Sequence, residues 1–272
     1  MEESCKKPLH PPSVSVIVIT LGRSKIFQEC LYSLLTQTYD NYEVIIVSDD
    51  PQLKLPEDLY LKDNVKIIYN KRRIGIGKAR NIGIKSSHGE IVAFIDDDAI
   101  PEYDWITKLI KCFNEGADAV FGKVVPRSSN LSKPIKLLSE LYSSMVGCNM
   151  AFQKDALIKV GLFNEKIDYG GDEDEIVSRL IKHGYKVKIC KYAIVKHDFS
   201  KNYVNLFWKT YKGGLNAHLL KEYKRAPILS RRKLIKTLLI QKEFNTFIIF
   251  LLLFIIRRIG ILVGKIRFWK LY

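Results

Sequence analysis

An α/β fold, with a mainly parallel sheet flanked by helices and a basic helical C-terminal appendage, is what this 272-residue sequence predicts. Three observations carry the prediction. Short β-branched runs recur (VSVIVIT at 14–20, EVIIV at 43–47, IVAFI at 91–95). Segments long enough for a helical crossover separate them, which selects parallel pairing with right-handed connections. Nearly half the residues are apolar (47%), enough to bury one large core.

The elements follow in order. Val14–Thr20 reads as a strand, and Ile26, Phe27, Cys30, Leu31, Leu34 and Leu35 after it have helical spacing. Strands are expected at 43–47 and Val65–Tyr69, a helix from Gly77 to Ser86, a strand at 91–95, a helix from Glu102 to Phe113, and a strand from Ala119 to Val124. Beyond 125 the pattern is less regular: a helix near Ile135–Tyr142, the segment GCNMAFQKD, a helix opened by the acid run GGDEDE, and short strands KVKIC and AIVKH. This divides the chain into a catalytic unit (1–200), a basic helical extension (201–243) and an apolar and basic tail (244–272).

The net charge of +15 suggests nucleic acid until it is located. Residues 201–272 hold 16 Lys and Arg against Glu222 and Glu243, so +14 of it sits in the last quarter of the chain. The remaining 200 residues are almost neutral and carry acids at strand ends, which would repel a phosphate polymer. A non-catalytic protein whose tail holds an anionic polymer or a membrane is the alternative reading. The five scattered cysteines form no CxxC pair, arguing against a disulfide framework and a zinc site and for a reducing cytosol. The polar start MEESCKKPLHPP predicts no secretory signal.

In a parallel sheet, ligands bind beyond the carboxyl ends of the strands. Asp49 and Asp50 follow EVIIV, and Asp96, Asp97 and Asp98 follow IVAFI, so both clusters are expected in one crevice. Asp96 and Asp98 are hard oxygen ligands suited to Mg2+ or Mn2+, and His197 at the end of AIVKH is a further candidate ligand. RRIGIGKARNIG lacks the third glycine of a dinucleotide loop. As a basic turn opening a helix it suits a nucleoside diphosphate, with Arg80 as the cation. TLGRSK offers only part of the glycine-rich loop of a nucleotidyltransferase. A metal at Asp98 beside a departing diphosphate, and a carboxylate from Asp172–Glu175 taking a proton from a hydroxyl, make a group transfer from a nucleotide-activated donor.

Five segments, in order, resemble glycosyltransferase family 2, inverting enzymes of the GT-A fold: VSVIVITLGR, LYSLLTQTYDNYEVIIVSDD, GIGKARNIGIKSSHGEIVAFIDDDAIP, GCNMAFQKDALIKVGLFNE and GGDEDEIVSRL. The resemblance implies that Thr20, Asp49, Arg80, Asp96 and Asp97 meet the donor, a UDP, GDP or dTDP sugar. Asp98, with Asp96 and His197, would hold the Mn2+ or Mg2+. It also implies a catalytic base in the acid run. Counting back from Arg179 gives Glu173 with Asp172 in support, and a slip of one residue gives Asp174. The acceptor would be a hydroxyl of a lipid-linked or cell-surface glycan, attacked with inversion.

The apolar run from Phe244 to Ile256 falls short of the roughly 20 residues a spanning helix needs, and Arg257 and Arg258 interrupt its extension. A helix lying in the membrane interface is expected, peripheral or monotopic at the cytoplasmic face, with Lys and Arg at phosphate level and Trp208, Tyr211, Phe268 and Trp269 as interface aromatics.

Overall fold

The computed structural model describes residues 13–22, 24–57, 62–128, 130, 132, 146–167, 170–198, 200, 202–215 and 244–269. Its strands are β1 (Val14–Thr20), β2 (Tyr42–Ser48), β3 (Val65–Tyr69), β4 (Ile91–Asp96), β5 (Ile100–Pro101), β6 (Ala119–Val125), β7 (Met150–Gln153) and β8 (Val187–Lys196). The helices are α1 (Phe27–Leu35), α2 (Ile76–Ser86), α3 (Trp105–Asn114), α4 (Lys154–Lys159), α5 (Asp172–Lys182), α6 (Tyr203–Leu215) and α7 (Phe244–Trp269). The helix expected near Ile135–Tyr142 and residues 216–243 of the basic extension lie outside the described residues.

All eight strands form one sheet in the order β3-β2-β1-β4-β7-β6-β8-β5. The β3-β2-β1-β4 half is parallel, as the sequence predicts. β7 then enters antiparallel between β4 and β6, and β5 pairs antiparallel with the end of β8. The sheet is therefore mixed beyond β4.

Side-chain alternation decides which helices cover which face. Val14, Val16 and Val18 of β1 with Ala93 and Ile95 of β4 pack under α1 and α3, through Leu31, Leu34, Trp105 and Leu109. Ile17, Val92 and Phe94 point the other way, toward Ala79 and Ile84 of α2 and Ile176, Val177 and Leu180 of α5. Gly83 is where α2 meets β1: a Cβ there would lie 2.6 Å from Ile17 Cγ2.

KVKIC and AIVKH form a single strand, β8, with a bulge. Cys190 pairs with Gly122 but Ile194 pairs with Lys123, so the residues between them leave the ladder. The buried Asn149 holds this bulge in place. Its Nδ2 donates to the carbonyls of Lys123 and Ala193, both at 3.0 Å, and its Oδ1 accepts from Trp105 Nε1 at 2.8 Å. Gly122 makes the room, since a Cβ would lie 2.3 Å from either amide atom of Asn149. The redirected strand delivers His197, whose backbone N–H donates to the Val125 carbonyl, to the crevice at the end of β4.

α6 and α7 pack against each other at Leu206 and Leu253, which are buried together with Tyr203, Phe207 and Ile249 around them. Their backbones cross at glycines: a Cβ on Gly260 would sit 2.4 Å from the Tyr211 carbonyl, and one on Gly214 2.6 Å from that of Arg257.

Candidate active site

A cavity of about 590 Å3 opens at the carboxyl ends of β1, β2 and β4, and its lining includes Thr20, Asp49, Asp96, Asp97, Asp98 and His197. The strand-end acids thus share one crevice. Asp49 is held by two donors, Asn70 Nδ2 at 2.9 Å and the Ile74 backbone N–H at 3.0 Å, which fix the turn leading into α2. Asp50 is not among the lining residues. It caps its own turn through the Gln52 N–H and leaves no space for a side chain at Gly22.

Thr20 is buried, and its hydroxyl donates to Asp97 at 2.5 Å while accepting from the Gly22 N–H. Burial raises Asp97 to about 6, and repulsion from Asp98 and Asp96 adds to the shift against the bonds from Thr20 and Leu21.

Asp96, Asp98 and His197 each offer one ligand atom, all within 4.8 Å of one another. His197 Nε2 lies 3.1 Å from Asp98 Oδ1, and its ring is buried beside the Cys148 thiol. Asp98 is 49% exposed and faces the cavity. Burial pushes Asp96 upward, an effect that His197 and Arg80 oppose and Asp98 reinforces. Two carboxylates and an imidazole whose ligand atoms converge form a donor set that fits a hard divalent cation.

Every acid of the 172–175 run has its own surroundings. α5 starts after Gly171, whose φ of 92° is left-handed. Asp172 is buried in an ion pair with Arg80. Arg80 is itself sealed, its guanidinium 5.6 Å from the Phe94 ring centroid and 5.1 Å from that of Phe163. Glu175 takes both arms of Arg179, at 2.7 and 2.6 Å, and Arg179 also donates to the Val160 and Leu162 carbonyls. Glu173 is half-buried and accepts from the Gly147 N–H at 3.0 Å. A Cβ on Gly147 would collide with both Glu173 and Arg80. Asp174 is also half-buried. Asp96 continues the row of Val92 and Phe94, and on that face it feels the charges of Arg80 and Glu173.

Two placements differ from the sequence expectation. Arg80 is spent on Asp172 and does not line the cavity. The cations that do are Lys25, Arg73, Arg127 and Lys209. Of these, Arg73 sat in the basic, glycine-containing segment read as a diphosphate site and Lys25 in the partial loop TLGRSK, whereas Arg127 and Lys209 carried no such signal. Asp198 was also unforeseen: it accepts from the N–H groups of Arg127 (3.0 Å) and Ser128 (2.9 Å), pinning the segment after β6 to the end of β8.

The family model for glycosyl transferase family 2 matches residues 15–161, and that for the N-terminal domain of galactosyltransferase matches 136–203. The glucosyl-dolichyl phosphate glucuronosyltransferase of Haloferax volcanii is 28% identical over 231 residues, 73% of each chain. Glycosyltransferase AglE of the same organism is 33% identical over 42% of this chain and 40% of its own. Among solved structures, the mannosyltransferase PcManGT from Pyrobaculum calidifontis in complex with GDP-Man and Mn2+ aligns with a TM-score of 0.60 over 82% of this chain and 70% of that one, at 20% identity. GalNAc-T7 with UDP, GalNAc and Mn2+ aligns at 0.58 over 69% and 43%, at 18% identity. At such identities these two likenesses are of fold. The matched family model, spanning more than half of the chain, and the crevice of strand-end acids lead to one assignment: the chain belongs to glycosyl transferase family 2 and is a nucleotide-sugar glycosyltransferase of the GT-A fold.

Proposed function

We propose that this enzyme moves a sugar from a UDP, GDP or dTDP donor to a hydroxyl of a lipid-linked or cell-surface glycan by one inverting displacement. The observation that carries the reading is that Asp49 and Asp96–Asp98 line one cavity while Glu173 lies within electrostatic reach of Asp96. Asp49 serves the nucleoside end, with Thr20 and Asp97 forming the wall beside it. Asp96, Asp98 and His197 would hold Mn2+ or Mg2+. Such an ion supplies positive charge to the diphosphate oxygens.

Glu173 takes the proton of the acceptor hydroxyl as its oxygen bonds to the anomeric carbon and the bond from that carbon to the diphosphate breaks. Asp172 acts in support, by keeping Arg80 in place next to Glu173. Asp174 is the rival base. The opposite approach of nucleophile and leaving group inverts the anomeric centre. A relative named glucosyl-dolichyl phosphate glucuronosyltransferase supports a lipid-linked acceptor. Incubating the full chain with Mn2+ and a panel of UDP, GDP and dTDP sugars tests the reading. One donor is expected to be consumed, with an anomer of opposite configuration in the product. Retention of configuration, or consumption of none, would refute it.

On this reading the catalytic unit is 1–200, and the basic extension (201–243) and tail (244–272) serve the cytoplasmic face of a membrane. Among the described residues no helix is long and apolar enough to cross a bilayer. α7 nevertheless exposes Ile248, Leu251, Leu252, Ile255, Ile259 and Leu262 along one face, at the spacing of a single helical stripe. No acid occurs in α7, and Arg258 flanks the stripe. An apolar stripe in cationic surroundings suits an anionic lipid surface, in the plane of the interface. The free thiols of Cys30, Cys112, Cys148 and Cys190 agree with a reducing compartment. The protein is expected to sediment with vesicles containing phosphatidylglycerol and not with pure phosphatidylcholine. Ile255→Glu with Leu262→Glu should abolish this. Equal sedimentation of both proteins would remove α7 as the contact.

A further inference from the structure

The donor's diphosphate is dianionic, and the cation that sequence alone offers it, Arg80, is locked to Asp172 between two phenyl rings. The charge must come from elsewhere. Among the cations lining the cavity, Lys25 and Arg73 lie close in sequence to Thr20 and to the Asp49-bound turn, at the nucleoside end. Arg127 follows β6, and Lys209 comes from the middle of α6.

Lys209 lies beyond both stretches matched by family models, which end at 161 and 203. We propose that Lys209 is a donor-binding residue: its ammonium, carried into the cavity by α6, grips the diphosphate oxygens of the sugar nucleotide. The inference rests on the nucleotide-sugar reading of the same cavity.

Three observations support it. Lys209 shares the cavity lining with Asp98 and His197. The charges of His197 and Lys209 both bear on Asp98. The ammonium is therefore near the group that would meet a metal-bound diphosphate. The helix beneath it is also fixed. Asn202 Oδ1 accepts from the Asn205 N–H at 2.9 Å at its start, Leu206 is buried one turn before Lys209, and Gly214 touches α7 one turn after it. A charged group on a rigid element holds its position at little further cost on binding. Lysine suits the task as a mobile point charge with three donors that can follow the diphosphate as it leaves.

The test is calorimetric titration of the full chain, in Mn2+, with UDP, GDP and dTDP and with UMP, GMP and dTMP, for the unaltered protein, Lys209→Met and Lys209→Arg. For the nucleoside diphosphate that binds, Lys209→Met is expected to lose about 10- to 100-fold in affinity, the range of a lost hydrogen bond to a charged group. The corresponding monophosphate should change by less than about threefold, and Lys209→Arg should restore most of the loss. A merely structural role would weaken both nucleotides alike and would not be rescued by arginine, and either result overturns the assignment. Unaltered affinity in Lys209→Met overturns it alone. If the unaltered chain binds none of the three diphosphates, the nucleotide-sugar reading falls and this inference with it.

Discussion

Asp98→Ala and Glu173→Gln are each expected to lower kcat/KM for sugar transfer by about 100- to 10,000-fold, the range for loss of a positioned general base or of comparable charge stabilisation, but for separable reasons. Asp98 contributes one of three ligand atoms that converge within 4.8 Å, so its removal should abolish Mn2+-dependent tightening of nucleoside diphosphate binding. Glu173→Gln keeps an oxygen to accept the Gly147 N–H, so the fold and nucleotide binding should survive while proton transfer does not. Calorimetry and initial rates on the same two variants separate the roles. Asp174→Asn should leave the rate within a few-fold. A large loss there, with full activity in Glu173→Gln, would move the base to Asp174. Full activity in both Asp98→Ala and Glu173→Gln would refute the whole assignment.

The second large effect is on stability. Arg80 and Asp172 are both about 99% removed from solvent, and breaking a buried ion pair by deleting one partner costs about 3–5 kcal/mol because the other charge is stranded. Arg80→Met leaves the buried Asp172 carboxylate without its cation. It also strips Asp96 of a positive neighbour that partly offsets its burial. Asp172→Asn leaves a guanidinium with less compensation. Chemical denaturation of the two single variants and of Arg80→Met with Asp172→Asn should give a double variant less destabilised than the sum, because the second change removes the stranded charge. Additive costs, or single costs under about 1 kcal/mol, would mean that the pair does not anchor α5 to α2.

The parallel half of the sheet is legible because its strands are continuous β-branched runs, and the acids follow the runs directly. A strand buried on both faces has little choice but to place the next residues at its open end. Beyond β4, β6 and the two segments of β8 are legible as strands, but β7 and β5 are not. β7 is only Met150–Gln153 and β5 only Ile100–Pro101, too short for any period to register. The bulge in β8 depends on Gly122 and Asn149, which no local pattern joins. The same limit governs the site. Asp49, Asp98 and His197 sit at strand ends and can be found by position. Arg80 reads as a cation for the diphosphate until α5 brings Asp172 against it, and Lys209 reaches the cavity from a helix that no motif ties to the strand ends. Side chains whose role depends on a partner distant in sequence leave no trace in spacing.

The crossing at Gly214 and Gly260 has a mechanical consequence. Two helices whose main chains touch cannot slide or rotate independently, so the exposed apolar side of one and the cavity-facing side of the other are opposite arms of a single lever. On the membrane and donor readings proposed above, whatever fixes α7 against a surface also sets the height of the Lys209 arm above the leaving group. A bulky residue at either glycine would pry the arms apart and loosen the grip on the donor, without altering one atom of the carboxylate cluster.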